Sequence, residues 1–217
     1  MCFNWQISLF TFVIGVVLSI ILAKYGNPKY KLENHMGGIF FIFVALVQFM
    51  DFIFWIDLDN TIGLNKWMTM IGPWLVFGQP ILVYVIKMML TKINVSDIVT
   101  NLYNFNGAIL ALNVCYFIYL CNSYIQFIQN GTLTAKVKHG HLSWPWKKYF
   151  NSNYYLLVLT INMFYLTNFN YSMVWFVVSY LLAFLSYTYF NYNVGELWCF
   201  FGAFEPVIIL LITKYFL

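Results

Sequence analysis

Polar positions along this chain are sparse and bunched, and the apolar stretches between them approach the roughly 20 residues that a membrane-spanning helix needs. Seven such stretches stand out, at 7–23, 38–56, 67–89, 99–120, 154–169, 172–190 and 197–216. Short polar breaks separate most of them, among them the segment around Asn27-Pro28 and the segment from Asp57 to Lys66. The fifth stretch is short, and only Asn168-Phe169-Asn170 parts it from the sixth, as in a tight turn between antiparallel helices. The pattern predicts an all-α, polytopic membrane protein: a single membrane domain over 1–217, a seven-transmembrane-helix bundle.

One longer segment, 122–153, is predicted to lie outside the membrane. Within it Asn130-Gly131 and His139-Gly140 are turn signals, and Leu133, Ala135 and Val137 alternate with Thr134, Lys136 and Lys138. Period two predicts a small surface hairpin. The following Trp144-Pro145-Trp146-Lys147-Lys148-Tyr149 reads as an interfacial anchor, with rings beside ammonium groups.

Composition narrows the class further. The 217 residues are 62% hydrophobic and 8% charged, against roughly 25% charged in an ordinary soluble domain. With a mean hydropathy of +0.75, a soluble globular protein, a disordered chain and a nucleic-acid-binding domain are excluded. The net charge of +4 comes entirely from Lys, with no run longer than Lys147-Lys148, so no phosphate-backbone footprint exists. The lipid bilayer is the expected partner, together with a small molecule or ion, and no nucleic acid. The cysteines Cys2, Cys115, Cys121 and Cys199 form no CxxC pair and no disulfide framework.

Seven spans place the termini on opposite faces. Lys24, Lys29, Lys31, Lys87, Lys92 and Lys214 fall on the C-terminal face, and Lys66, Lys136, Lys138, Lys147 and Lys148 on the N-terminal one. Short loops near the membrane weigh most in the positive-inside rule, which orients the N-terminus outside and the C-terminus in the cytoplasm.

Polar groups inside spans cost about 2.5 to 3.5 kcal/mol for an Asp or Lys near the middle of a helix, and so mark candidate sites. Asp51 lies in the second span, with Gln48 and Trp55 on the same helical face. Gln79 precedes Pro80 in the third span and Glu205 precedes Pro206 in the seventh, and each Pro should kink its helix and free a carbonyl. Glu196 stands at the mouth of the seventh span. Asp51, Gln48, Gln79, Glu205 and Glu196 form a candidate substrate or ion path. Parity of the spans brings Cys2, Asn4, Trp55, His141, Trp144 and Trp198 to the same membrane face as Asp51, as the candidate walls of a site. Each also has a structural role available, as interhelical glue for the acids and as an interfacial belt for the Trp.

The opening Met1-Cys2-Phe3-Asn4, the Gln48, Asp51 and Trp55 spacing, Gln79-Pro80 and Trp198-Cys199 together resemble an uncharacterised group of multi-span membrane proteins seen in bacteria and large DNA viruses. That group opens on MCFS and carries QxxExxxW in its second span, so Asp51 here replaces Glu. The resemblance implies a shared site near Cys2 and Asp51 and supplies no chemistry for it.

Two function classes follow. In the first, a transporter, channel or sensor, Asp51, Gln79 and Glu205 line a polar path; a structural or assembly role competes within the same architecture. In the second, a membrane-embedded enzyme, removal of Met1 exposes Cys2 as a nucleophile, with its own amine or His141 as base and Asp51 orienting. No cofactor or metal is expected. His35, His139 and His141 all fall in predicted loops, and Lys214 lies too near the C-terminus for a retinal Schiff base.

Overall fold

The computed structural model describes residues 4–91, 105–138, 141–189 and 200–217, with only the backbone at 105, 106, 141 and 189. The described elements are α1 (Trp5–Tyr25), α2 (Lys31–Ile56), α3 (Leu64–Phe77), α4 (Gln79–Thr91), α5 (Phe105–Asn130), β1 (Lys136–Lys138), β2 (His141–Ser143), α6 (Ser152–Leu166), α7 (Phe169–Tyr189) and α8 (Glu205–Tyr215). The protein is all-α apart from the hairpin. Among the described residues, four helical segments are long and apolar enough to cross a membrane: α1, α2 with the turn before it, α5 and α7. Counting the α3–α4 pair as one bent span makes five.

The helices are built for lipid. On α1 the buried positions are Ser8, Thr11, Gly15, Ser19 and Leu22, a stripe at three- and four-residue spacing. Phe10, Val13, Val17 and Ile20 point outward. Small and weakly polar residues inside, with apolar residues outside, reverse the soluble pattern and match helix packing in bilayers. Close approach is the purpose of the stripe: a Cβ on Gly15 would sit 3.0 Å from the Cβ of Ala45 on α2 and 3.2 Å from that of Ala203.

Hydrogen bonds fix which ends of the helices meet. Asn27, in the α1–α2 turn, donates to the Thr213 carbonyl at 2.7 Å, and Lys29 Nζ donates to the carbonyl of Leu217 at 3.2 Å. Asn168, before α7, donates its N–H to Glu33 at 3.1 Å. The C-terminus therefore lies at the Tyr25 end of α1, opposite Asn4. The hairpin gathers at the other end, where Asn65 of α3 accepts from Ala135 N–H at 2.8 Å and donates to the Ala135 carbonyl at 3.1 Å.

Several elements depart from the expected spans. The second helix starts at Lys31 rather than near 38, because Asn34 donates back to the Asn27 carbonyl and His35 Nδ1 pairs with the Lys31 carbonyl, so these polar residues belong to its first turns. The fourth continues to Asn130, into the expected loop; its predicted start at 99 lies outside the described residues. The third is two helices bent by 64°. Pro80 has no N–H to give, and side chains stitch the break. Tyr116 donates to the Phe77 carbonyl at 2.8 Å, Asn162 to the Pro80 carbonyl at 2.9 Å and Gln79 to the Leu75 carbonyl at 3.2 Å. In the seventh, residues 200–202 are helical, 203–204 turn, and α8 begins at Glu205-Pro206. At 15 and 11 residues, α6 and α8 are short of a spanning length.

The hairpin forms with Lys136 opposite Ser143, Val137 opposite Leu142 and Lys138 opposite His141; its expected turn at His139-Gly140 lies outside the described residues. The segment after it is not a headgroup belt. Trp144 is 4% exposed and Trp146 0%, and their rings stack 5.5 Å apart. Trp146 sits over Gly72 of α3, where any Cβ would collide with its ring. The exit from the hairpin is thus a plug folded into the bundle, with Lys147 and Lys148 left exposed at its rim.

Candidate functional site

A cavity of about 350 Å³ lies beneath this plug, within the usual range of ligand pockets of roughly 300–1,000 Å³. It runs from exposed Lys147 and Ser152 at the hairpin end, past Phe77, Trp144 and Tyr155, to Phe40, Phe41 and Trp175 near mid-bundle. Leu156, Thr160, Tyr180 and Ala183 line it between α6 and α7. Apolar and aromatic side chains dominate, and Gln79, Ser179 and Glu205 supply polar atoms.

Both polar-Pro pairs meet at this cavity. Gln79 is the first residue after the α3–α4 break, and the Tyr155 hydroxyl donates to its Oε1 at 2.6 Å. Glu205 opens α8, where a carboxylate complements the helix dipole; Ser179 donates to its Oε2 at 2.8 Å. Glu205 is 3% exposed and Gln79 5%. The two helix breaks therefore deliver one polar side chain each into the same apolar chamber.

Asp51 stands behind the wall. It is fully buried, and Trp144 Nε1–H donates to its Oδ1 at 2.9 Å. Trp144 itself lines the chamber, so Asp51 holds a cavity wall in position. Gln48 turns toward α1, where Thr11 donates to its Oε1 at 3.1 Å. Trp55 is half-buried. The N–H groups of Gln48 Nε2, Trp55 and Trp146 have no hydrogen-bond partner among the described residues. Asn4 caps α1 by accepting from Ile7 N–H at 2.9 Å and is exposed. Of the remaining expected site residues, Cys2, Glu196 and Trp198 lie outside the described residues, as does the side chain of His141.

Sequence reasoning passed over Ser179, Tyr155 and Trp175, which face the chamber, and the amides that hold its frame. Asn113 of α5 and Asn162 of α6 exchange reciprocal hydrogen bonds at 3.0 and 2.8 Å. Asn113 and Asn162 interrupt apolar runs, and that was the available signal. Among the described residues, no three His, Cys, Asp or Glu side chains come together as a metal site.

At the hairpin end, outside the spans, burial alone would raise the Asp57 carboxyl. The N–H groups of Ile62, Asn65 and Leu64 and the Thr61 hydroxyl stabilise its charged form and hold it below its ordinary value. Asp57 thereby fixes the α2–α3 turn on which Asn65 and the hairpin rest.

Architecture and cavity together define an all-α protein with the helix packing of a membrane protein. No protein-family model, no curated protein and no solved structure matches the chain.

Proposed function

We propose that this chain is an integral membrane protein that binds a small, mainly apolar molecule in the chamber between α2, α6, α7 and α8, as a transporter or sensor does. The observation that carries this reading is the convergence of two broken helices, at Gln79-Pro80 and Glu205-Pro206, on one ligand-sized cavity. Interrupted helices that present polar groups at mid-membrane are the usual substrate sites of secondary transporters. Seven membrane crossings fit the same reading, with the bent α3–α4 pair as the third, α6 as the fifth and the segment ending in α8 as the seventh. Parity then puts the termini on opposite faces, and the Lys distribution favours a cytoplasmic C-terminus. The resemblance to the multi-span group of bacteria and large DNA viruses fits a site at this end of the bundle. The path proposed here runs past Gln79 and Glu205, with Asp51 as its support.

The test is thermal unfolding in neutral-lipid nanodiscs with and without benzyl alcohol. Wild type should be stabilised in a saturable way, and Ala183→Phe, which fills the chamber, should lose the effect. Equal, non-saturable responses in both proteins would remove the binding function.

A further inference from the structure

We infer that the chamber takes a single-chain amphiphile from the surrounding bilayer, admitted sideways through the seam between α6 and α7; this rests on the chamber being a ligand site. The lining follows α6 from Ser152 to Met163, about 16 Å of helix. One leaflet's share of the hydrocarbon core is similar, roughly 15 Å. Polarity falls along the same axis. Ser152 and Lys147 stand exposed at the rim, and Leu159, Met163 and Trp175 line the deep end. An amphiphile in that leaflet has the same order, with its head at the surface and its chain toward mid-membrane. At about 350 Å³ the chamber is at the small end of ligand pockets, roughly 300–1,000 Å³, which favours one chain over two.

The seam faces lipid. Leu157 on α6 and Leu181 and Phe184 on α7 are exposed apolar residues at its edges. Thr160 is half-buried and Tyr180 is 36% exposed, and both also line the chamber. One layer of side chains therefore separates the chamber from the bilayer. At the joined end of the two helices the closure is firm. Phe164 packs on Phe169 and Phe176, with ring centroids 6.1 and 5.4 Å apart, and Ser172 donates to the Met163 carbonyl at 3.0 Å. Nearer the rim the chamber lies between the helices, and the Thr160 and Tyr180 hydroxyls pair across the seam at 2.9 Å. A hydroxyl facing hydrocarbon needs a partner, and each supplies the other's. Hydrogen bonds between membrane helices are weak, so this pair is a latch that a passing chain can open.

The experiment uses phosphatidylcholine nanodiscs and a lysophosphatidylcholine spin-labelled near the end of its chain, with the corresponding diacyl probe as control. Lipid around the protein is slowed in either case, so the signal is the difference between wild type and Ala183→Phe. The lysolipid should show a saturable, motionally restricted component that Ala183→Phe lacks, and the diacyl probe should show no such difference. Titration with benzyl alcohol should displace that component. Removing the latch, as Thr160→Val with Tyr180→Phe, should speed exchange of the restricted probe with bulk lipid about threefold, the worth of an average interhelical hydrogen bond. Tyr180→Phe alone keeps the ring and decides the point if the double variant does not fold. Unchanged exchange overturns the lateral route. No restricted component, or an equal one for the diacyl probe, overturns the single-chain occupant. Either result, with saturable stabilisation by benzyl alcohol intact, leaves a small-molecule chamber. Loss of that stabilisation together with the restricted component overturns the binding reading as well.

Discussion

Replacing Trp144 by Phe removes an indole donor to Asp51 while keeping an aromatic ring in the plug. Hydrogen bonds to charged groups are worth about 1.5–3 kcal/mol. The 2.9 Å indole bond in a fully buried setting belongs to that range. For a chain of this size each kcal/mol moves the melting temperature by roughly 2–4 °C, so Trp144→Phe should lower it by about 3–12 °C. Lost ring volume contributes too, and a double-mutant cycle separates the two effects. Asp51→Leu removes the acceptor and leaves the Trp144 N–H unsatisfied, whereas the double variant contains neither group. The double variant should therefore be more stable than the sum of the singles predicts, by at least about 1 kcal/mol. Equilibrium unfolding in mixed micelles measures all four corners. Additivity within about 0.5 kcal/mol would refute the idea that Asp51 acts by holding the plug.

Gly72→Ala should drive the Trp146 ring out of its seat and cost about 1–3 kcal/mol as overpacking, read by the same unfolding assay; an unchanged midpoint would mean that the plug is not seated on α3. Tyr155→Phe should lose about 1 kcal/mol through the missing donor to Gln79 Oε1, and the same titration should show altered affinity for benzyl alcohol. Asp57, held below its ordinary value when folded, stabilises the fold wherever the unfolded chain's Asp57 is ionised. That contribution is lost as pH falls through the folded value. Wild type should thus lose stability relative to Asp57→Asn on acidification below the ordinary carboxylate range, and parallel pH profiles would contradict this.

Membrane class was legible because it is written in composition and in apolar run length, which depend on no tertiary contact. The position of the helix breaks was legible as well, since Pro80 and Pro206 act on their own helices. Run length could not reveal that α2 starts at Lys31, because the polar residues of its first turns are satisfied by Asn27 and Asn168 across other turns. The Trp144-to-Tyr149 segment shows a deeper limit. Aromatic rings beside Lys suit a headgroup belt and an inward plug equally well, and the choice is made by Asp51, 93 positions away, and by the notch at Gly72. Asp51 stood out as a costly charge, but its role as an acceptor for Trp144 required the partner's position. The chamber combines residues from α2, α6, α7 and α8, and no local spacing announces that combination.

The most direct measurement is thiol accessibility at the chamber wall. In a variant free of its four native cysteines, Ser179→Cys faces the chamber, and Val177→Cys, on the exposed apolar face of the same helix, faces lipid. A thiol reacts as its thiolate, which needs water. In nanodiscs, methyl methanethiosulfonate should modify Ser179→Cys many times faster than Val177→Cys, and Ala183→Phe should suppress that reaction. If Ser179→Cys proves as inert as Val177→Cys, α7 lines no hydrated chamber, and the ligand site described here does not exist.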